Sequence, residues 1–318
     1  MTLPQQPKGR FATAVCVDDR MLPLACATLY SCHLASPDIE FDKILIGLDI
    51  PSEQKAEIDE FKKQKSFDIK TIFLSRDTLG PVVSKYGAST LRLRLDRHLG
   101  EQYDRILYLD CDILVLKSLT PLFSMDLQGK TAAAVADLMK PWKGNYERLR
   151  EMGVSFGNYF NSGVMLFDMN KANADRIWEN SEKELEMRAW RRGDQDVLNK
   201  VLADRWRHLP VKWNFMGPFH YIKSIDPAII HFTGGDFGGR PWRHGSIGLH
   251  KKYKRLYIDI FSHTPWTGFI PETSLWERIR GEYRYYMSTV RRHFPVQTYL
   301  RQNNFTIPDR HTGVAAGS

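Results

Sequence analysis

Asp110 and Asp112 stand inside Ile-Leu-Tyr-Leu-Asp-Cys-Asp-Ile-Leu-Val-Leu, residues 106–116, in an otherwise apolar run. A run so rich in leucine and β-branched residues reads as a strand buried on both faces. Carboxylates there need compensation, because an unpaired buried charge is expensive. Residues i and i+2 of an extended segment share a face, so if the chain stays extended both acids aim at one spot. A divalent cation with hard oxygen ligands is the simplest occupant, and it would in turn hold the oxygens of a diphosphate. The competing reading is a strand end whose aspartates cap neighbouring turns, since two acids one residue apart often arise by chance.

Other residues gain meaning beside this pair. His231 follows an apolar strand and precedes Gly234-Gly-Asp-Phe-Gly-Gly. It reads either as a structural histidine or as a third metal ligand through a neutral ring nitrogen. The glycines from Gly234 would let backbone N–H groups approach a phosphate, and Arg240 would neutralise its charge; a plain surface loop is the alternative. Arg92, among leucines, reads as an exposed helical residue unless a ligand is near, with Arg94 the more ordinary solvent residue. Asp194 and Gln195 precede an apolar helix, where Asp194 caps the helix or the two side chains grip sugar hydroxyls. Asn161 leads into Ser162-Gly163, a turn that either serves itself or presents both side chains to a ligand.

The elements that must position these groups alternate. Strands are predicted at Phe11–Asp19, Asp42–Asp49, Ile69–Leu74, 106–116, Thr131–Asp137, within Phe160–Asp168, and near Ile229–Phe232. Helices are predicted at Met21–Leu34, Glu53–Lys65, Thr90–Leu99 and Ala174–Trp190. Ser75–Thr90, with Gly80, Pro81 and Gly87, reads as a long connection able to close over a ligand. Pro141–Gly157 reads as an excursion outside the sheet. The alternation predicts an α/β fold with a mixed, mainly parallel sheet and helices on both faces. Asp18, Asp110, Asp112, Asp137 and Asn161 then fall at strand ends, and the carboxyl edge of such a sheet is where ligands bind.

Composition is that of a globular protein, with 42% hydrophobic and 26% charged residues among 318. No apolar run is long enough to span a bilayer, and Met1–Phe11 has no signal-peptide core, so a cytoplasmic location is expected. Cys16, Cys26, Cys32 and Cys111 form no Cys-x-x-Cys pair and suggest no disulfide framework. The net charge of +8 is localised: from Arg240 onward there are 13 Lys/Arg against 5 Asp/Glu, whereas the preceding residues balance at 32 each. In that tail, Trp276-Glu-Arg-Ile-Arg-Gly-Glu-Tyr-Arg-Tyr-Tyr and Arg291-Arg-His-Phe interleave cations with aromatics. The pattern suits an anionic membrane surface or an amphipathic helix packed on the body, and it gives no reason to expect nucleic acid. The organisation expected is one domain over residues 10–245 and a basic, aromatic, helical appendage over 246–318.

Taken together, the motifs resemble family-8 retaining glycosyltransferases, the group of bacterial lipopolysaccharide galactosyl- and glucosyltransferases, glycogenin and galactinol synthases. The matching pieces are Cys16-Val-Asp18-Asp19, Leu91-Arg92-Leu, Tyr108-Leu-Asp110-Cys-Asp112, Asp137, Tyr159-Phe-Asn161-Ser162-Gly163-Val, Gly193-Asp194-Gln195-Asp196, Trp213-Asn214, and His231 through Pro241-Trp242. The resemblance implies a GT-A fold, a UDP-sugar donor (UDP-galactose or UDP-glucose), and Mn²⁺ or alternatively Mg²⁺ on Asp110, Asp112 and His231. It implies that Cys16, Val17 and Asp18 meet the uridine and that Arg92 assists the donor. Cys111, Ser162, Gly234 and Arg240 complete the implied donor site, and Asp137 faces donor or acceptor. Asn161, Asp194 and Gln195 would surround the transferred sugar, with Gln195 positioning or stabilising rather than forming a covalent intermediate. The acceptor implied is a saccharide or lipid-linked saccharide of a surface glycan, used at the inner face of the plasma membrane.

Two departures stand out. Arg240 replaces the lysine of the usual His-x-x-Gly-x-x-Lys-Pro-Trp, and three additional residues separate it from Gly234. Arginine keeps the charge without the compact ammonium geometry. Two other readings compete: a haloacid-dehalogenase-type phosphatase using Asp110 and Asp112, and a non-catalytic sugar-nucleotide-binding or scaffold protein. The phosphatase pattern places its acids near the chain start, with Thr or Val where Leu114 stands. A scaffold would have no need of all these polar groups.

Overall fold

β1 (Phe11–Asp18) is buried along nearly its whole length because its side chains serve two cores. Phe11, Val15 and Val17 enter one, while Ala12, Ala14 and Cys16 enter the other. This is the period-two alternation of a strand covered on both faces. The structure is a computed structural model that describes residues 9–137, 143–221, 225–233, 240–242, 249–272, 274–283 and 286–287.

The first half runs through α1 (Leu22–Ala35), β2 (Asp42–Leu48), α2 (Ser52–Lys65), β3 (Lys70–Leu74), α3 (Gly80–Tyr86), a tight 3₁₀ segment at Ala88–Arg94, and α4 (Leu95–Leu99). β4 (Arg105–Leu109), β5 (Ile113–Val115), α5 (Thr120–Phe123), β6 (Ala132–Ala136), α6 (Lys143–Met152) and β7 (Phe160–Asp168) follow. The chain then continues with α7 (Met169–Ala174), α8 (Ile177–Met187), α9 (Asp194–Val201), β8 (Trp206–His208), β9 (Phe215–Met216), β10 (Ile229–His231) and α10 (Leu249–Phe261).

A seven-stranded sheet has the order β3-β2-β1-β4-β7-β6-β8, and a three-stranded sheet the order β5-β10-β9. Pairings within β3-β2-β1-β4 and between β6 and β8 are parallel, while β7 is antiparallel to both of its neighbours. The mixed, mainly parallel α/β architecture is therefore as expected. Because β7 runs backwards, its first residues lie at the end of β4: Leu109 pairs with Val164, and the Asp110 N–H donates to the Gly163 carbonyl at 2.8 Å.

Several local expectations need correction. Residues 106–116 are two strands of different sheets, with a turn at Asp110–Asp112. Thr28 Oγ1, on α1, holds that turn by donating to the carbonyls of Cys111 (3.1 Å) and Ile113 (2.9 Å). The acids sit where the strand leaves the core, so neither is forced into an apolar layer. The helix expected at Thr90–Leu99 is split between the 3₁₀ segment and α4. The one expected at Ala174–Trp190 is α8, shorter at both ends, and it starts after Arg176, which adopts φ 53°. The 75–90 connection carries α3, and β7 is extended from Phe160, where a turn was expected, the turn lying earlier, at 155–158. Residues 143–152 of the excursion form α6, outside both sheets.

The region beyond residue 245 contains two unlike parts. Tyr253, Tyr257, Ile260 and Phe261 of α10 are buried in the core that α1 lines, and Trp266 anchors to α2 through Nε1–H donating to Glu57 Oε2 at 2.9 Å. From Leu275 to Tyr283 the chain is again helical. Leu275, Trp276, Ile279 and Tyr283 are 52–79% exposed there. No helix among the described residues is long and apolar enough to cross a membrane. Arg291 and the residues after it lie outside the described residues, as does Gly234.

Candidate active site

Asp110 leaves the end of β4, Asp112 leaves the turn into β5, and His231 closes β10, whose antiparallel pairing with β5 sets it opposite Ile113. Two sheets thus bring the Asp110 and Asp112 pair and the sequence-distant His231 to one place. A ligand atom from each lies within 4.8 Å of the others, a grouping that suits a metal ion. His231 Nε2 is 3.0 Å from Asp112 Oδ1 and 3.7 Å from Asp110 Oδ2.

The electrostatics of this trio follow from burial and mutual contact. Burial alone would push the His231 pKa down, but Asp112 and then Asp110 outweigh it and hold the imidazolium above its ordinary value. Burial likewise opposes ionisation of Asp112, yet His231 and Arg240 bring it below the usual carboxylate range. Without a cation, the imidazole proton and the Arg240 guanidinium (Nη2 to Asp112 Oδ2, 3.2 Å) compensate the acids. Arg240, expected at a diphosphate, lies against an acid here, with its guanidinium 5.6 Å from the Trp242 ring centre.

The donor set fits a divalent cation. Two carboxylates and a neutral imidazole are hard or borderline ligands. His231 Nδ1 is 3.0 Å from the side-chain oxygen of buried Asn214, leaving Nε2 for the acids. Gly163 permits the approach: a Cβ there would fall 2.3 Å from His231 Cε1 and 2.7 Å from Asp110 Oδ2.

Arg92 is buried at the centre of the site. The expectation of an exposed side chain, based on local sequence alone, fails for it and equally for Arg94. Arg92 Nη2 is 2.8 Å from Asp110 Oδ1, and its Nε is 2.8 Å from Asp194 Oδ2. Nη1 donates to Ser162 O (2.9 Å) and Oγ (3.2 Å), and the guanidinium lies 4.4 Å from the Tyr108 ring centre. Desolvation opposes its charge, but Asp110 and Asp194 hold the guanidinium ionised. Arg94 is held by Glu182 and the Leu79 carbonyl. Burial raises the Asp194 carboxyl above its usual range despite Arg92. Asp194 begins α9, with Gly193 in the capping position.

Asn161, Ser162 and Gln195 meet through hydrogen bonds. Gln195 Oε1 accepts from Asn161 Nδ2 (3.2 Å) and the Ser162 N–H (3.3 Å). Its Nε2 donates to Asp137 Oδ2 (3.2 Å) and Tyr159 OH (3.0 Å). Arg192 Nη1 also reaches Asp137 Oδ2, at 2.6 Å. Behind them Tyr159 donates to Asp196 Oδ1 (2.7 Å), which is also 2.8 Å from Arg148 Nη1.

At the end of β1, Asp18 pairs with Arg20 through Oδ2 at 2.8 Å, while its Oδ1 is buried without a hydrogen-bond partner. Val17 and Cys16 are buried beside it, and burial pushes the Cys16 thiol up to about 12. Cys111 occupies the turn between the two acids, and burial also raises its thiol pKa. Arg148 and Arg192 carried no functional signal in the sequence, and Tyr108, Tyr159, Asp196, Asn214 and Gly163 stood there only as parts of motifs. The remaining signal was spacing: Asp196 lies one residue after Gln195, and Gly163 follows Asn161-Ser162.

A profile described as Glycosyl transferase family 8 matches residues 12–245. General stress protein A of Bacillus subtilis (strain 168) is 32% identical over 188 residues, covering 52% of this chain and 61% of that protein. A lipopolysaccharide 1,2-glucosyltransferase of Escherichia coli (strain K12) is 28% identical over 193 residues, covering 56% of this chain and 55% of its own length. The matched stretch therefore spans little more than half of these two relatives. The crystal structure of a galactosyltransferase, LgtC, in complex with donor and acceptor sugar analogs superposes with a TM-score of 0.66 at 22% identity. That superposition covers 81% of this chain and 99% of the other, and establishes a shared GT-A architecture. A profile match across most of the sheet and all three metal-ligand candidates leaves one family assignment: the chain belongs to glycosyl transferase family 8.

Proposed function

We propose that this chain is a retaining hexosyltransferase that moves galactose or glucose from a UDP-sugar to a saccharide or lipid-linked saccharide acceptor in lipopolysaccharide or another surface glycan. The observation that carries this reading is the convergence of Asp110, Asp112 and His231 within 4.8 Å beside the Asn161–Gln195–Asp137 hydrogen-bond chain. The similarity to a lipopolysaccharide 1,2-glucosyltransferase and to LgtC supports the choice of substrate class.

Mn²⁺, or Mg²⁺ in its place, would be held by Asp110, Asp112 and His231 and would supply Lewis-acid stabilisation of the leaving diphosphate. The remaining roles belong to the chain itself. Asp18, with an unpartnered buried Oδ1, accepts a hydrogen bond from the uracil, and Cys16 and Val17 wall that pocket. Arg92 keeps Asp110 and Asp194 apart as charges and fixes Ser162 at the donor. Cys111 sets the turn that aims both acids. Gly234 and Arg240 serve the diphosphate, which requires Arg240 to leave Asp112. Asn161, Asp194 and Gln195 orient the transferred sugar, Asp137 meets donor or acceptor, and Gln195 stabilises the reacting carbon without bonding to it.

The exposed stripe of Leu275, Trp276, Ile279 and Tyr283, with Arg278 and Arg280 on the same helix, supports peripheral attachment to an anionic membrane at its cytoplasmic face. In this reading residues 10–245 form the catalytic domain, α10 of the 246–318 region packs on its core, and the attachment surface of that region is the exposed helix from Leu275.

Donor class is tested by incubating the protein with a panel of UDP-sugars and Mn²⁺, with and without EDTA, and measuring UDP release. EDTA-sensitive release from UDP-galactose or UDP-glucose is expected. Release that EDTA leaves intact would overturn the metal-dependent mechanism.

A further inference from the structure

The polar chain behind the three candidate metal ligands has only one consistent orientation, and backbone groups fix it. The Gly163 N–H is necessarily a donor, so the Asn161 atom it meets at 3.0 Å is an oxygen. That same oxygen lies 2.8 Å from an Asn214 side-chain atom, which must then be the amide nitrogen. The other end of the Asn214 amide is therefore oxygen, and it faces His231 Nδ1 at 3.0 Å. An acceptor there requires the ring proton on Nδ1 in the neutral imidazole. Independently, the Ser162 N–H meets Gln195 at 3.3 Å, so this end of the Gln195 amide is oxygen and it accepts from Asn161 Nδ2. Donors then run without interruption from His231 through Asn214, Asn161 and Gln195 to Asp137.

We infer that Asn214, its own amide oriented by Asn161, is a positioning residue that locks His231 in the Nδ1–H tautomer, aiming the Nε2 lone pair at the metal, and that it steadies Asn161 beside Gln195. Asn214 is fully buried and does not belong to the acidic trio, so it acts through His231 and Asn161. The tautomer of His231 is thereby tied, through Asn214 and Asn161, to the backbone N–H of Gly163. A side chain that accepts from His231 but cannot donate to Asn161 separates the two ends. This role rests on the proposed metal site.

Two variants separate the two ends. Asn214→Ala removes both contacts, whereas Asn214→Asp keeps an acceptor for His231 and loses the donor to Asn161. In protein loaded with Mg²⁺ and UDP and carrying ¹⁵N-labelled histidine, where Nε2 faces the cation instead of donating to Asp112, His231 is expected as the Nδ1–H tautomer in the unmutated chain and in Asn214→Asp. It should become a tautomer mixture in Asn214→Ala, with the His231 signals assigned by their loss in His231→Gln. Mn²⁺ titration in the presence of UDP, followed by electron paramagnetic resonance, should show affinity about 10–100-fold weaker in Asn214→Ala and near the original in Asn214→Asp. Transfer by Asn214→Asp should lose about tenfold or more in kcat with donor KM little changed. An Nε2–H tautomer in the unmutated protein, or equal Mn²⁺ affinity across all three chains, would overturn the assignment to Asn214. The expected tautomer together with no Mn²⁺ binding by the unmutated protein would instead overturn the metal reading, and with it the metal-aiming role.

Discussion

Two buried carboxylate clusters lie on either side of Gln195, and they are built on opposite principles. Asp196 is sealed and satisfied: Arg148 and Tyr159 meet one oxygen at 2.8 and 2.7 Å, and the Arg192 N–H donates to the other at 2.9 Å. Asp110 and Asp112 share one imidazole; Arg92 and the Tyr108 hydroxyl also meet Asp110, and Arg240 at the rim meets Asp112. Asp196 has no exposed surface, whereas the Asp110 side chain is 25% exposed. A cluster closed by its own partners fixes structure. One whose acids are compensated by an imidazole proton and a rim guanidinium that a cation can displace, and that is open to solvent, is prepared to take that cation.

The largest effect that would sharpen this contrast falls on the open cluster. Asp112→Asn should abolish metal-dependent transfer, a loss on the order of 10³-fold or more, while the melting temperature changes little. Full turnover by that variant would remove the metal assignment. The closed cluster should behave in reverse. Arg148→Ala leaves Asp196 buried without its cation and should cost about 3–5 kcal/mol in denaturant unfolding, with Mn²⁺ affinity of the folded protein unchanged.

A subtler perturbation is Gly163→Ala, because its methyl would overlap His231 and Asp110 Oδ2 rather than any apolar neighbour. Mn²⁺ affinity in the presence of UDP should fall about 10–100-fold, with a smaller effect on unfolding. A drop in stability alone, with metal affinity intact, would show that the acids and the imidazole do not need this close approach.

The smallest effect concerns His98, which belongs to neither cluster. Burial, followed by Arg94 and Arg97, lowers its pKa to about 4, and its Nε2 has no hydrogen-bond partner. The unfolded chain takes up that proton near 6.5, so between these values the unfolded state binds more protons than the folded one. Stability should therefore fall as pH drops from about 6.5 towards 4. His98→Gln should flatten that part of a melting-temperature profile. An unchanged profile would place the acid sensitivity elsewhere.

Much of the open cluster was legible in the sequence, and little of the closed one. Asp110, Asp112, His231, Asn161, Asp194 and Gln195 stand in short motifs whose order marks the family. The principal strands were legible because β1, β2, β4 and β7 each contain an uninterrupted apolar run, at residues 14–17, 44–46, 106–109 and 164–167. By contrast, β9 spans only two residues and carries no signal, and β5 reads as part of the β4 run, so although the β10 strand is expected, the separate sheet by which it delivers His231 was hidden. The turn between the two acids was hidden for the same reason, since Leu109 and Ile113 look continuous until Thr28 is known to hold the carbonyls between them. Arg92 and Arg94 appeared exposed because their acidic partners are distant in sequence. The Arg148–Asp196 pair spans 48 positions and carries no local signature at all.

The contrast between the two clusters is tested most directly by counting metal. Mn²⁺ should be titrated into the unmutated chain, Asp112→Asn and Arg148→Ala, each with UDP, and free Mn²⁺ followed by electron paramagnetic resonance. One tightly bound ion per chain is predicted for the unmutated protein and for Arg148→Ala, with none for Asp112→Asn. Equal binding by all three, or loss in Arg148→Ala with retention in Asp112→Asn, would contradict the division between an open, cation-seeking cluster and a closed, structural one.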